Sequence, residues 1–310
     1  MDHAPIVCKS GCMNHASDSA TLEPRSLSLA AGKRVPPSLY FMVSAVFHYL
    51  GPAFAVLLFA HVAPLGVAWL RIASAALIFA LWRRPWRYFT QQSAAVRWNS
   101  VALGAVLGGM NVCFYLAIDR LPLATVGAIE FLGPIALALA GLHSRRNVVA
   151  LAVAAAGVTM LTHARFAGTA TGFAFAFANC ALFMLYIVLS HRIAGDGGGH
   201  GIDRLAAAML VALLVVMPLG WREAAVAFTH PGLLAAGIGV GVSSSVIPYV
   251  CDQLAMARLP RATFALMLAL LPATACVIGI VVLHQWPGPA ELAGIALVIA
   301  GINLHRAAPR

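Results

Sequence analysis

Four ionisable side chains lie inside long apolar stretches of this sequence, Arg71, Glu130, Asp252 and His48. A charged group at the centre of a bilayer costs about 2.5–3.5 kcal/mol on insertion scales, so each of them needs a partner or a task. Glu130 follows Thr125 by five residues and precedes Pro134 by four, with no basic residue within a helical turn. A carboxyl group so placed can carry a proton or bind an ammonium group; its structural alternative is a buried ion pair, most simply with Arg71. Arg71 can stretch its stem to the interface or hold a carboxylate in its planar fork, and both readings stand. Asp252 is either a second proton-handling acid or the helix-end partner of Arg258. Asn111, Tyr115 and Tyr249 supply polar lining nearby, and His48 is expected as a hydrogen-bonded packing residue. His3, Cys8, Cys12 and His15 fit no zinc-ligand spacing, and neither a metal site nor a cofactor is expected.

The elements that must position these groups follow from composition. The chain is 61% hydrophobic and only 10% charged, where a soluble domain carries about 25% charged residues. Its solvent is therefore expected to be lipid. Ten apolar runs are long enough for spanning helices: 38–59, 64–82, 98–118, 121–142, 147–163, 168–191, 204–221, 231–256, 259–283 and 289–306. They are too long for barrel strands and do not alternate with period two. The reading is an all-α integral membrane protein of ten transmembrane helices. Residues 1–35 are polar, lack a signal-peptide core and are expected as a disordered cytoplasmic tail.

The formal charge of +10 could suggest a nucleic-acid partner, but its distribution points elsewhere. With the N-terminus cytoplasmic, the inside loops and flanks hold fourteen basic residues and the outside loops three, Arg120, Arg165 and Arg222. That excess sets an orientation with both termini cytoplasmic and needs no nucleic acid. Trp82, Trp86 and Trp98 flank the second inside loop as interfacial anchors. Phe173, Phe175 and Phe177, spaced by two, fan around their helix and are expected mostly to meet lipid.

One phrase occurs twice, Arg120-Leu121-Pro122-Leu123-Ala124-Thr125 and Arg258-Leu259-Pro260-Arg261-Ala262-Thr263, 138 residues apart, with Pro134 and Pro272 following at matched distance. An odd number of crossings separates the copies, so the halves 38–163 and 168–306 are expected to be inverted five-helix repeats. In such folds a substrate site lies at mid-membrane between the halves. Pro134 and Pro272 are expected to kink the fourth and ninth runs and are candidate gates. Gly104 with Gly108, and Gly237 with Gly241, are expected to let helices pack closely. Asn111 and Tyr249 correspond at the repeat offset.

The stretch Gly109-Met110-Asn111-Val112-Cys113-Phe114-Tyr115-Leu116-Ala117-Ile118, then Leu121-Pro122-Leu123 and Ile129-Glu130-Phe131-Leu132-Gly133-Pro134, resembles the bacterial threonine/homoserine exporter group. This group lies in the EamA-type branch of the drug/metabolite transporter superfamily. Ile247-Pro248-Tyr249 with Asp252, and Arg258-Leu259-Pro260 with Thr263-Phe264, carry the resemblance through the second half. The family commonly has glutamate at the position of Asp252, and two further acids of relatives are replaced here by Leu271 and by His284-Gln285.

The resemblance implies ten helices in two inverted repeats. It also implies export of threonine- or homoserine-like amino acids or related metabolites across the inner membrane, driven by the proton gradient. It extends a site role to Glu130, and to Arg71, Asn111, Tyr115, Tyr249 and Asp252. The partners are then a small-molecule substrate and the bilayer, and no enzymatic reaction is expected. The alternatives are export of cationic or drug-like compounds, and a non-transporting sensor or scaffold.

Overall fold

The computed structural model describes residues 36–133, 145–163, 170–194, 201–256 and 271–304. The chain divides into Met1–Pro36 and Pro37–Arg310, and every described helix belongs to the second unit. Among the described residues every regular element is a helix. In chain order they are α1 (Pro37–Leu58), α2 (Pro64–Arg83), α3 (Pro85–Gln91), α4 (Ala94–Ile118), α5 (Leu123–Glu130), α6 (Arg145–His163), α7 (Ala170–Ala194), α8 (Gly201–Thr229), α9 (Pro231–Gly241), α10 (Ile247–Met256), α11 (Leu271–Leu283) and α12 (Pro289–Leu304). Among the described residues, six helical spans are long and apolar enough to cross a membrane: α1, α2, α4, α7, α8 and the stretch Pro231–Asp252. The protein is a multi-pass membrane protein. The residues 1–35, Pro134 and Arg258 lie outside the described residues.

Local sequence explains the boundaries. Proline at the first position starts α2, α3 and α9, where a missing N–H costs nothing because that donor has no helical partner. α2 stops at Arg84, which turns left-handed at φ 50°. The Ser93 hydroxyl accepts the Val96 N–H and caps α4.

The eighth apolar run is not one straight helix. Between α9 and α10 the residues Val242–Val246, Val-Ser-Ser-Ser-Val, form a π-helical turn. Pro248 follows, and it has no N–H to give the Ser244 carbonyl four residues back, so regular winding cannot be completed there. Such π turns concentrate at functional positions.

Packing joins the first half of the chain to the second. α2 lies along α8, α5 along α11, and α6 along α12. α4 packs on α7 and α8, while α10 packs on α1 and α9 on α2. Glycines set the closest approaches. A Cβ on Gly104 would stand 2.5 Å from Val211 Cβ and 2.6 Å from the Ala208 carbonyl oxygen, and one on Gly241 would run into the Ser74 hydroxyl and stand 2.7 Å from the Arg71 carbonyl oxygen. The α2–α8 pair is tied at both ends. Gly66 N–H donates to Glu223 Oε2 at 3.1 Å, and at the other end Arg83 binds Asp203 Oδ1 through Nε at 2.7 Å.

The phenylalanines of α7 divide. Phe173 is buried where α7 packs on the core, Phe175 lies under the Arg120 guanidinium, and Phe177 is exposed. The expectation that most of them meet lipid is corrected for Phe173.

Candidate functional site

Arg71 is 6% exposed and Glu130 4% exposed, so neither reaches the membrane surface. The snorkelling alternative for Arg71 is thereby overturned. The close approach of α2 to α9 at Gly241 brings Arg71 against the serine turn. Its Nε donates to Ser245 Oγ at 2.9 Å and its Nη2 to the Ser244 carbonyl at 3.0 Å, the acceptor to which Pro248, four residues on, has no N–H to give. The guanidinium carbon stands 5.5 Å from the centre of the Tyr115 ring, a cation–π distance.

Glu130 ends α5. Its Oε1 accepts the Asn179 Nδ2–H from α7 at 3.3 Å. The expected alternative of an ion pair with Arg71 does not form among the described residues, although the Arg71 charge lies within electrostatic reach of the carboxyl. Tyr49 on α1 points its hydroxyl at Gly127, one turn before Glu130.

Among the described residues, three buried polar atoms around these two side chains have no hydrogen-bond partner, Tyr49 Oη, Glu130 Oε2 and Asn179 Oδ1, while the Tyr115 hydroxyl faces the Arg71 and Ser244 side chains. Burying such atoms unpaired is costly, which makes this region the candidate site.

The other expected residues sort around this centre. Asn111 is buried, donates to the Leu107 carbonyl at 2.8 Å and meets the Tyr249 side chain. Asp252 lies one turn beyond Tyr249 and accepts the Ser44 hydroxyl at 2.5 Å, on the contact between α10 and α1. It belongs to the neighbourhood but not to the Arg71–Glu130 centre. His48 packs edge-on to Tyr49 at 5.4 Å and makes no hydrogen bond among the described residues, which corrects the expectation for it. Pro272 is buried at the second position of α11 as described.

Tyr49, Asn179, Ser244 and Ser245 join the site without having been singled out from sequence. A signal existed for the serines: three in a row inside an apolar run, four residues or so before a proline.

The model of the EamA-like transporter family matches residues 170–305. The threonine/homoserine exporter RhtA of Escherichia coli (strain K12) is 34% identical over 260 residues, covering 81% of this chain and 84% of that protein. The threonine/homoserine exporter RhtA of Salmonella typhimurium (strain SL1344) is 32% identical over 274 residues, covering 85% of this chain and 89% of that protein. A solved crystal structure shares the fold with a TM-score of 0.55 at 18% identity, over 86% of this chain and 96% of its own.

Proposed function

The chain belongs to the EamA-like transporter family, and from that premise we propose that it exports small amino acids of the threonine/homoserine type, or related metabolites, by proton antiport. The observation that carries this reading is one deep cation and one deep acid converging without neutralising each other. Arg71, with Nε and Nη2 held by the serine turn, keeps Nη1 for a carboxylate, and Glu130 offers a carboxylate to an ammonium, while the hydroxyls of Tyr49, Tyr115 and Ser244 lie alongside. A zwitterion matches that arrangement at both ends. The names of the relatives support the substrate class. The role is transport, with no chemical step and no cofactor.

Two inverted five-helix repeats supply the frame for alternating access. Three observations support this. Exchanging the first five apolar runs with the last five turns each principal helix contact into another that is present: α4 on α7 becomes α10 on α1, and α4 on α8 becomes α9 on α2. The glycine pairs follow the same exchange, Gly104 against α8 and Gly241 against α2. Asn111 and Tyr249, equivalent at the repeat offset, meet each other, as side chains near a two-fold axis do. The excess of basic residues in alternate loops supports cytoplasmic termini in the inner membrane.

Proton-driven flux of L-threonine in vesicles tests the reading. Glu130→Gln is expected to abolish it, and undiminished flux would remove Glu130 from the mechanism. A second reading, export of a cationic compound, is favoured by one observation: the serine turn already occupies two nitrogens of Arg71. It predicts that Arg71→Gln still transports organic cations, whereas the amino-acid reading predicts loss of transport.

A further inference from the structure

The Glu130 carboxyl and the Asn179 carboxamide share one hydrogen bond, Nδ2–H to Oε1 at 3.3 Å. The atom left over on each side, Glu130 Oε2 and Asn179 Oδ1, is buried and unpaired among the described residues. With Glu130 ionised, both leftover atoms are acceptors, and neither can satisfy the other. A carboxylic acid and a primary amide pair through two bonds, N–H to carbonyl and O–H to carbonyl. The first is in place here. The second would join the two leftover atoms once Oε2 carries a proton.

We propose that Glu130 and Asn179 form one slot that accepts a single donor at a time, either a proton closing the acid–amide ring or a primary ammonium whose N–H groups satisfy Oε2 and Oδ1. The ammonium half deepens the amino-acid reading above and rests on it; the ring does not. The balance is simple. A proton from water adds to Oε2 and removes the charge of the carboxylate. When a substrate ammonium enters, it keeps its own protons, the carboxyl proton leaves to water, and the carboxylate charge returns. Proton and substrate thus exclude one another at the same two atoms. Asn179 is a positioning residue for the proton and a specificity-determining residue for the ammonium, since a quaternary ammonium has no N–H to offer.

The ionisable groups facing Glu130 are few. Tyr49 from α1, Arg71 from α2, Cys180 from α7 and Tyr249 from α10 lie within electrostatic reach. Tyr115 of α4 sits under Arg71. Cys276 of α11 and Glu291 of α12 line a separate hollow with Thr125, more than a turn from Glu130. α6 carries no titratable side chain between Asn147 and Thr162. Arg71 is the one cation in this set, and its fork is directed at the serine turn.

Infrared difference spectroscopy on the full chain in vesicles, titrated from alkaline to acid, reads the slot directly. A carbonyl band of protonated Glu130 is expected in the wild type and its loss in Glu130→Gln. Both ring bonds lower that stretching frequency, so Asn179→Leu should move the band to higher wavenumber; Asn179→Ser serves the same comparison if the leucine variant does not fold. L-Threonine should discharge the wild-type band, and its N-trimethylated analogue should not.

A band at the same wavenumber with and without Asn179 overturns the ring. Equal discharge by the trimethylated analogue overturns the ammonium half. A band that shifts in Asn179→Leu yet ignores L-threonine leaves the ring standing and strikes the amino-acid reading instead.

Discussion

Pro248 governs Arg71 from the neighbouring helix. Because it has no N–H, the Ser244 carbonyl is free to accept from Arg71 Nη2, which fixes the guanidinium in the centre of the bundle. Pro248→Ala would restore a helical donor to that carbonyl and set it in competition with Arg71. A hydrogen bond to a charged group is worth about 1.5–3 kcal/mol. Transport of L-threonine by Pro248→Ala should therefore fall by roughly tenfold or more, while the thermal midpoint stays unchanged or rises, since proline is a poor helix-interior residue. Undiminished transport would separate Pro248 from the site.

Arg71 and Glu130 were legible in the sequence because a charge in an apolar run has so few innocent explanations. Ser244, Asn179 and Tyr49 were not, for a physical reason. A serine in a span commonly satisfies itself on its own helix, as Ser243 does on the Gly239 carbonyl and Ser74 on the Leu70 carbonyl. Residue type alone does not distinguish such a serine from one whose backbone serves another helix.

The helices divide into those whose faces are set by glycine and those whose course is set by proline. Gly241 allows α9 to lie against α2, and no side chain fits there without moving Ser74 or the Arg71 backbone. Gly239, two residues earlier, meets nothing within 4 Å. Gly241→Ala should destabilise the protein by about 1–3 kcal/mol through overpacking and depress transport, because it displaces the helix that carries Arg71. Gly239→Ala should be neutral or stabilise by up to about 1 kcal/mol, since alanine is the better helix former. Thermal unfolding in detergent compares the two, and equal effects would contradict the packing described.

At this scale hydropathy located six spans among the described residues, because ordered apolar length is the signal that lipid imposes. It read 231–256 as one helix because hydropathy does not register the one-residue rewinding of a π turn. The kink expected at Pro134 falls outside the described residues.

The proposed repeat exchanges the order of the two halves, and the recurring Arg-Leu-Pro phrase carried that expectation in the sequence. What it did not carry was which helix pairs are fixed. α2 and α8 are equivalents under that exchange, close-packed at Gly66 and Gly220, bound at one end by Gly66 and Glu223 and at the other by Arg83 and Asp203. A disulfide introduced across α2 and α8 should therefore leave L-threonine flux within about twofold of the reduced protein, since it adds a restraint where the geometry is already over-determined. A disulfide across α1 and α11 should stop it. Arrest by the first would mean that these two helices slide during turnover.

The double tie makes α2 and α8 a keel. Arg71 is mounted on it, while Glu130 ends α5 outside it. On the proposed export reading, alternating access would change the distance between a stationary cation and a travelling acid, and the substrate would be the length that fits between them.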